Sequence, residues 1–306
     1  MKHPFFSVII PTFNRCAFLK IAVESVLSQS FDDFEIVICD DGSHDNTAGT
    51  ITAFNEQRIR YFRQENKGVS AARNAALKIS RGEFIAFLDS DDRFRHDKLK
   101  ITQSHIQNNP QYKIFHSQEI WYRAGSYLAQ KKAHIKPHGN IFAAAAKICS
   151  VSISTAVIHK SVFKKSGIFD ETMPACEDYD FWLRAANLYE VFLIDEFLTI
   201  KEGGHPSQQS HKYPAMDRFR IYALEKAINS GKLSAENLKI ANDELAVKKE
   251  IFSKGAEKRK NIRKLQEAIP RSLSEPHPSI HPASGGTLRG RLVSKRPRTD
   301  KSQFTN

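Results

Sequence analysis

Apolar positions in roughly the first third of the chain fall into two alternating rhythms. Short runs rich in β-branched and aromatic residues, Ser7–Ile10, Phe34–Ser43, Arg58–Gln64 and Glu83–Asp92, read as strands. Pro11 stops the first of them, and the second and fourth end in aspartates. Between them, Phe18–Gln29 places Leu19, Ala22, Val23, Val26 and Leu27 at helical spacing, a helix-like segment follows Asp45, and Ser70–Ser80 reads as a further helix. Strands alternating with helices at this spacing predict βαβ units and an α/β fold with a mostly parallel, doubly wound sheet flanked by helices. Ligands of such sheets sit beyond the carboxyl ends of the strands. Those ends here carry Thr12 and Asn14, Asp40 and Asp41, Asn66 and Lys67, and Asp89, Asp91 and Asp92.

From about Lys113 the pattern is less regular, with strand-like segments at Ile114–Tyr122, Ser152–His159 and Val191–Ile200. Residues 215–267 read as helices rich in Ala, Leu, Lys and Glu, whereas the Pro-, Ser-, Gly- and Arg-rich end holds few large apolar residues and reads as disordered. The charge follows this division. Residues 1–225 carry 28 Lys and Arg against 26 Asp and Glu, and residues 226–306 carry the remaining 18 against 8. The net charge of +12 therefore belongs mostly to the C-terminal quarter and argues for a solvated appendage, weakly attracted to acidic surfaces, rather than for a nucleic-acid-binding core.

Cys16, Cys39, Cys149 and Cys176 are widely spaced and form no C-x-x-C pair, which fits a reducing compartment and neither a zinc site nor a disulfide framework. The apolar run at the N-terminus is too short for a secretory signal, and no stretch reaches the roughly 18–20 apolar residues of a membrane span. These readings predict a cytoplasmic protein, soluble or peripheral to the inner face of the membrane.

Chemistry enters first by exclusion. There is no G-x-G-x-x-G after the first strand and no G-x-x-x-x-G-K-[ST], so neither dinucleotide binding nor Walker-type phosphate cradling is supported. Asp89-Ser90-Asp91-Asp92, directly after the apolar run FIAFL, offers another way to hold phosphate, because carboxylates at a strand end can bind a hard cation that bridges phosphate oxygens. The plainer reading is an Asp-rich turn.

The segments SVIIPTFNR, ICDDGSHDNT, NKGVSAARNAAL, GEFIAFLDSDD and CEDYDFWLR occur in the order and spacing of the family-2 glycosyltransferases of the GT-A fold, which the chain resembles over about residues 5–225. The later segment EGGHPSQQSHKYPAMDRFR is similar to a C-terminal signature, of GGHxxQxS type, of one bacterial branch. The resemblance implies a transferase domain at 1–225, with a nucleotide-sugar half at 1–112 and an acceptor half at 113–225. A helical extension at 226–267 and a disordered basic tail at 268–306 would follow. It also implies roles. Pro11, Thr12 and Asn14 would lie against the nucleotide base, with Arg15 nearby, and Asp41 would bond the uracil edge while Asp40 shapes its loop. Gly68 would admit close backbone approach, and Arg73 would reach the nucleotide phosphates. Asp89 and Ser90 would lie near the ribose or the metal's water shell, with Asp91 as the direct ligand of Mn²⁺ or Mg²⁺ and Asp92 as a cap. His205 would add a contact to metal or diphosphate.

In the same resemblance, Asp178 is the general base of an inverting transfer, which needs a carboxylate facing the acceptor hydroxyl on the side opposite the leaving group. The bland alternative makes Glu177 and Asp178 dipole-favoured residues of a helix start. Glu177, Trp182 and Arg184 are candidates for acceptor or loop contacts, with Trp182 equally suited to a core. The implied partners are a nucleotide-sugar donor, UDP-linked by family habit at Asp41, and a glycan or lipid-linked acceptor of polysaccharide or glycolipid synthesis. A metal-dependent nucleotidyltransferase and a non-catalytic nucleotide-sugar binder are the alternatives. The first lacks a glycine-rich, lysine-containing loop after the first strand, and the second is disfavoured by the presence of both Asp91 and Asp178.

Overall fold

The computed structural model of the protein describes residues 3–130, 134–204, 213 and 215–268. The first strands are β1 (Phe6–Thr12), β2 (Phe34–Asp40), β3 (Ile59–Arg63) and β4 (Phe84–Phe87), and β1 pairs in parallel with both β2 and β4. Every residue of β1 and β2 is buried, which is why these strands read as continuous apolar runs rather than as alternating ones. Alternation survives in the destinations of the side chains. Val8, Ile10, Ile36 and Ile38 join one core cluster, whereas Ile9, Val37 and Cys39 join another on the opposite face.

Helix α1 (Cys16–Leu27) buries Leu19, Ala22, Val23 and Val26, the stripe that the sequence spacing requires. The short α2 (Thr47–Thr52) follows Asp45, and α3 (Val69–Ile79) packs against β1 and β2 with Ala72 and Ala76 wholly buried, small side chains that let helix and sheet approach closely. Glu35 is a polar inclusion in β2. It accepts hydrogen bonds from Ser7 Oγ (2.6 Å), Arg81 N (2.6 Å), Arg81 Nε (2.8 Å) and Arg60 (3.2 Å). Burial opposes its charge, but these donors outweigh burial and hold its pKa below the ordinary value.

The fourth predicted strand is shorter than its apolar run. It leaves the sheet after Phe87, and Asp89–Asp92 form a crossing segment that ends in β5 (Arg93–Phe94) at the far edge. After α4 (Lys98–Asn108) come β6 (Ile114–Arg123), β7 (Ser126–Tyr127), α5 (Phe142–Lys147), a 3₁₀ turn (Ile153–Thr155) and β8 (Val157–His159). Helices α6 (Ser161–Ser166) and α7 (Glu177–Ala186) lead to the long strand β9 (Phe192–Gly203). Among the described residues the sheet order is β3-β2-β1-β4-β8-β6-β9-β5, with β7 on β6. The first four strands are parallel, and the remainder is mixed, with β8 antiparallel to β4 and β6 while β6 and β9 run parallel.

The sheet runs without a break across residue 112. Helix α8 (Asp217–Asn229) and the start of α9 (Ala235–Ala268) add Ala223, Leu224, Ala227 and Ala241 to the cluster that holds Tyr179 and Trp182. The chain divides into a unit of residues 1–259 and a unit of residues 260–306, whose described part, 260–268, is helical. No described helix is long and apolar enough to cross a membrane.

The connections set the position of the site. From β1 the chain steps to β2 and β3 on one side, then returns to β4 on the other. The crevice at the carboxyl ends of β1 and β4 is therefore a switch point, and it receives Thr12–Arg15 and Asp89–Asp92.

Candidate active site

The wall at the ends of β1 and β2 is built from side chains bonding to backbone. Asp40 accepts from Ser43 N (2.7 Å) and Tyr61 Oη (2.7 Å) and so shapes its turn. Gly42, at φ +86°, is required there because a Cβ would lie 3.0 Å from Asn66 N. Asp41, buried beside it, accepts from Gln64 Nε2 (2.7 Å), Lys67 N (2.9 Å) and Gly68 N (2.8 Å). Both of its oxygens thus hold the loop that enters α3, which leaves fewer lone pairs for a uracil edge than the resemblance assumes. Gly68 opens α3 at φ +91° with nothing near its missing Cβ. Asn14, in the left-handed region at φ 52°, accepts from His44 N (2.7 Å), and its own N–H donates to Ser43 Oγ (2.9 Å). Pro11 and Thr12 are buried at the base of this wall.

Arg73 departs from expectation. Its guanidinium is buried, donates to Asp89 Oδ1 (2.7 Å) and Glu177 Oε1 (2.5 Å), and lies over the Phe169 ring. It ties the aspartate segment to the start of α7 instead of presenting its fork to a phosphate. Burial opposes its charge, and the two carboxylates outweigh burial and raise its pKa.

Carboxylate oxygens of Asp89, Asp91 and Asp92 lie within 4.8 Å of one another. Burial would raise the Asp89 pKa, but Arg73, Lys201 and Arg15 hold it below the ordinary range. Asp91 accepts from Arg15 (2.9 Å). Asp92 is buried, and burial together with the charges of Asp91 and Asp89 pushes its pKa up to about 8 against the opposing pull of Lys201. It does not cap a helix: its Oδ1 accepts from Glu202 N (3.4 Å) on β9, and α4 begins only after Asp97. Ser90 is buried between the aspartates, with little surface to offer a nucleotide. A donor set of three hard oxygens fits Mg²⁺ or Mn²⁺ and not a soft metal. His205 lies outside the described residues.

Helix α7 starts from Cys176, a non-glycine residue at φ 61°, and carries Glu177, Asp178 and Asp180 in its first turn. Asp178 accepts from Tyr179 N (2.8 Å) and from the thiol of Cys149 (3.1 Å). Burial, with the neighbouring Asp178 charge, raises the Cys149 pKa, so the thiol keeps the proton it donates. Trp182 is fully buried among core residues and presents no face to an acceptor. Arg184 is also engaged elsewhere: it pairs with Asp180 (2.7 Å) one turn back and donates to Ser166 O and Ile168 O, fixing the loop after α6. Neither residue is placed to touch a ligand.

Beneath the aspartates lies a set of charges that the sequence reading passed over. Because Arg93 pairs with Ile200 in an antiparallel register, Asp92 stands across from Lys201. Lys201 Nζ donates to Ser152 Oγ (3.3 Å), and Ser152 in turn donates to Glu119 (3.0 Å), which also accepts from Lys136 (2.7 Å). Desolvation works against the Lys201 ammonium, yet Asp92, Glu119, Asp89 and Asp91 raise its pKa. Burial would raise the Glu119 pKa, but Lys201 and Lys136 pull it down to about 2. The 3₁₀ turn joins this layer to the site, since Ser154 Oγ accepts from Asp89 N (3.0 Å) and Thr155 O from the buried Lys98 (3.1 Å). The available sequence signal was Lys201, which follows the run FLTI in a strand that also carries Asp195, Glu196 and Glu202.

The open α/β crevice thus brings together a carboxylate triad at its switch point and a second acidic pair across Arg73. Residues 7–167 match the family model described as glycosyl transferase family 2, and the chain belongs to that family. An uncharacterized glycosyltransferase of Rickettsia felis is 34% identical over 68% of this chain and 35% of its own length, so this chain spans about a third of that relative. The Escherichia coli protein WfaP, a UDP-Glc:alpha-D-GlcNAc-diphosphoundecaprenol beta-1,3-glucosyltransferase, is 34% identical over 64% of this chain and 78% of its own. Among solved structures, S. aureus TarS 1–349 in complex with UDP-GlcNAc aligns at a TM-score of 0.66 and 21% identity, covering 79% of this chain and 70% of that one. The mannosyltransferase PcManGT of Pyrobaculum calidifontis, in complex with GDP-Man and Mn²⁺, aligns at 0.59 and 16% identity, covering 84% and 80%. These structural likenesses give the fold, GT-A, with its α/β sheet and flanking helices.

Proposed function

We propose that the protein transfers a sugar, with inversion, from a UDP-sugar to a hydroxyl of a lipid-linked or glycan acceptor, using a divalent cation at Asp89–Asp92. The observation that carries this reading is the double ion pair of Arg73. It sets the triad, through Asp89, and the start of α7, through Glu177, in one rigid frame, so that Asp178 is fixed relative to the site of the leaving group. Uridine and a lipid-linked acceptor are favoured by the relatives WfaP and WfgD, both named as glucosyltransferases that use UDP-Glc on a diphosphoundecaprenol-linked sugar.

Asp91 and Asp92 would hold the cation, which when bound neutralises the charge that develops on the departing diphosphate. The protein's own groups do the rest. The loops at Asn14, Asp41 and Gly68 form the wall for the nucleoside. Asp178 takes the acceptor proton at its carboxylate as the acceptor oxygen attacks the anomeric carbon. The thiol of Cys149 fixes the orientation of that carboxylate through one oxygen. The cation is Mn²⁺ or Mg²⁺, with His205 as a proposed further contact, and the setting is the cytoplasmic face of the membrane, where a polyprenyl-linked acceptor would present its sugar.

A panel of nucleotide sugars, assayed for release of the nucleoside diphosphate with and without Mn²⁺, tests the reading. UDP release from a UDP-sugar is expected with Mn²⁺ and not in EDTA. Undiminished release in EDTA would remove the cation from the mechanism, and pyrophosphate in place of UDP would point to nucleotidyl transfer.

A further inference from the structure

The end of α5 is gripped from two sides, and a residue just beyond it reaches the proposed base. Phe142, Ala145 and Ala146 bury α5 in the core, and the carbonyls of its last turn have no further helical turn to pair with. Ala146 O accepts from Tyr179 Oη of α7, and Lys147 O accepts from Lys248 Nζ of α9 at 2.9 Å. Two residues on, the Cys149 thiol donates to Asp178 Oδ2 at 3.1 Å, with a longer contact to Val151 O at 3.6 Å.

A buried ammonium is an unfavourable way to attach a helix. Lys248 is 5% exposed, and its Nζ is met by Lys147 O, by Glu244 one turn back (2.9 Å) and by the face of Tyr179, 5.9 Å from the ring centroid. Ala241 and Leu245 of the same helix pack on the core cluster, so apolar contact supplies the attachment without it. What the ammonium adds is direction. It ends on one carbonyl, and that carbonyl fixes where the chain leaves α5 for the extended backbone at Ile148 and then Cys149. A cation set directly on a carboxylate favours its charged form and weakens it as a proton acceptor, whereas a neutral thiol can orient it with less loss of basicity. The lysine therefore works at one remove.

We propose that Lys248 is a positioning residue of the transfer reaction: by fixing the end of α5 it sets the Cys149 thiol against Asp178, so that a helix outside the sheet orients the base. The inference rests on the reading of Asp178 given above.

The test compares the full chain with Lys248→Met, which keeps an apolar stem and removes the ammonium. Alkylation by iodoacetamide, followed by mass spectrometry, reports on the link itself. Cys149 should react about three- to tenfold faster in the variant, the span of one hydrogen bond's net contribution, while the fully buried Cys39 of β2 keeps its wild-type rate. A general loosening of the fold would raise both, so equal rises, or an unchanged rate at Cys149, overturn the proposal. Turnover, measured with Mn²⁺ as UDP release from the UDP-sugar that the panel selects, should fall by a similar factor, while UDP affinity by calorimetry stays within about twofold of wild type. The same substitution made on Asp178→Asn should cause no further fall, because the link then leads to no base. Unchanged turnover in Lys248→Met, a parallel loss of UDP affinity, or an equal fall on both backgrounds overturns the proposal. If Lys248→Met does not fold, Cys149→Ala removes the last link directly, and unchanged turnover in that variant overturns it equally. Failure of the underlying reading has a separate signature: Asp178→Asn alone would then keep near-normal turnover.

Discussion

The acidic residues of this chain look alike in sequence, and their surroundings separate them. Asp40 and Asp41 bond to backbone and neighbouring side chains and shape loops. Asp89 and Glu177 share an arginine. Asp178 accepts from a thiol and one backbone N–H, an environment that would suit the proton-accepting role proposed for it. Asp178→Asn keeps the size and most of the hydrogen bonding but removes the basicity. Turnover is expected to fall by about 10²–10⁴-fold, while UDP affinity in the presence of Mn²⁺, followed by calorimetry, stays close to wild type. Near-normal turnover would remove Asp178 as the base and direct attention to Glu177, although the ion pair of Glu177 with Arg73 leaves it poorly suited to that work.

At the scale of elements, the strands and helices of the first hundred or so residues were legible because each buries a simple stripe or a full apolar run. The positions of Asp89, Asp91 and Asp178 at element ends were legible for the same reason. The roles of Arg73, Trp182 and Arg184 were not, since a sequence shows a residue's chemistry and not whether another side chain has already claimed it. The charged layer under the site was hidden by distance along the chain: Glu119, Lys136, Ser152 and Lys201 come from four separate segments and meet only when β6 and β9 pair. That layer makes a prediction about acid. The pKa of Glu119 falls from 4.5 to about 2 on folding, so its contribution is fully present above about pH 4.5 and is lost as the pH falls through about 2. The linkage is on the order of 3 kcal/mol. Urea unfolding at pH 6 and at pH 3 should show a shallower acid loss for Glu119→Gln than for wild type. The variant should also be less stable at pH 6, where Lys136 is left buried without its carboxylate. Parallel acid limbs in the two proteins would contradict this account.

For the whole molecule, the buried clusters and the apolar residues packed on them run, among the described residues, from Phe5 to Leu245, and residues 269–306 hold few large apolar side chains. A chain ending at residue 268 is therefore expected to melt within a few degrees of the full chain and to keep its activity on a soluble acceptor, with thermal unfolding as the check. A large drop in melting temperature would mean that the basic segment is part of the fold. The internal order of the unit before it has a temporal meaning. The crossing segment Asp89–Asp92 starts from β4 in the middle of the sheet and ends in β5, whose partner is β9, so that Arg93 waits for Ile200 and Asp92 for the backbone of Glu202. On a ribosome, the loops at Asn14, Asp41 and Gly68 are synthesised long before the strand that fixes the last aspartate. The contacts that hold the end of the acidic segment therefore cannot form until β9, more than a hundred residues further along the chain, has been made.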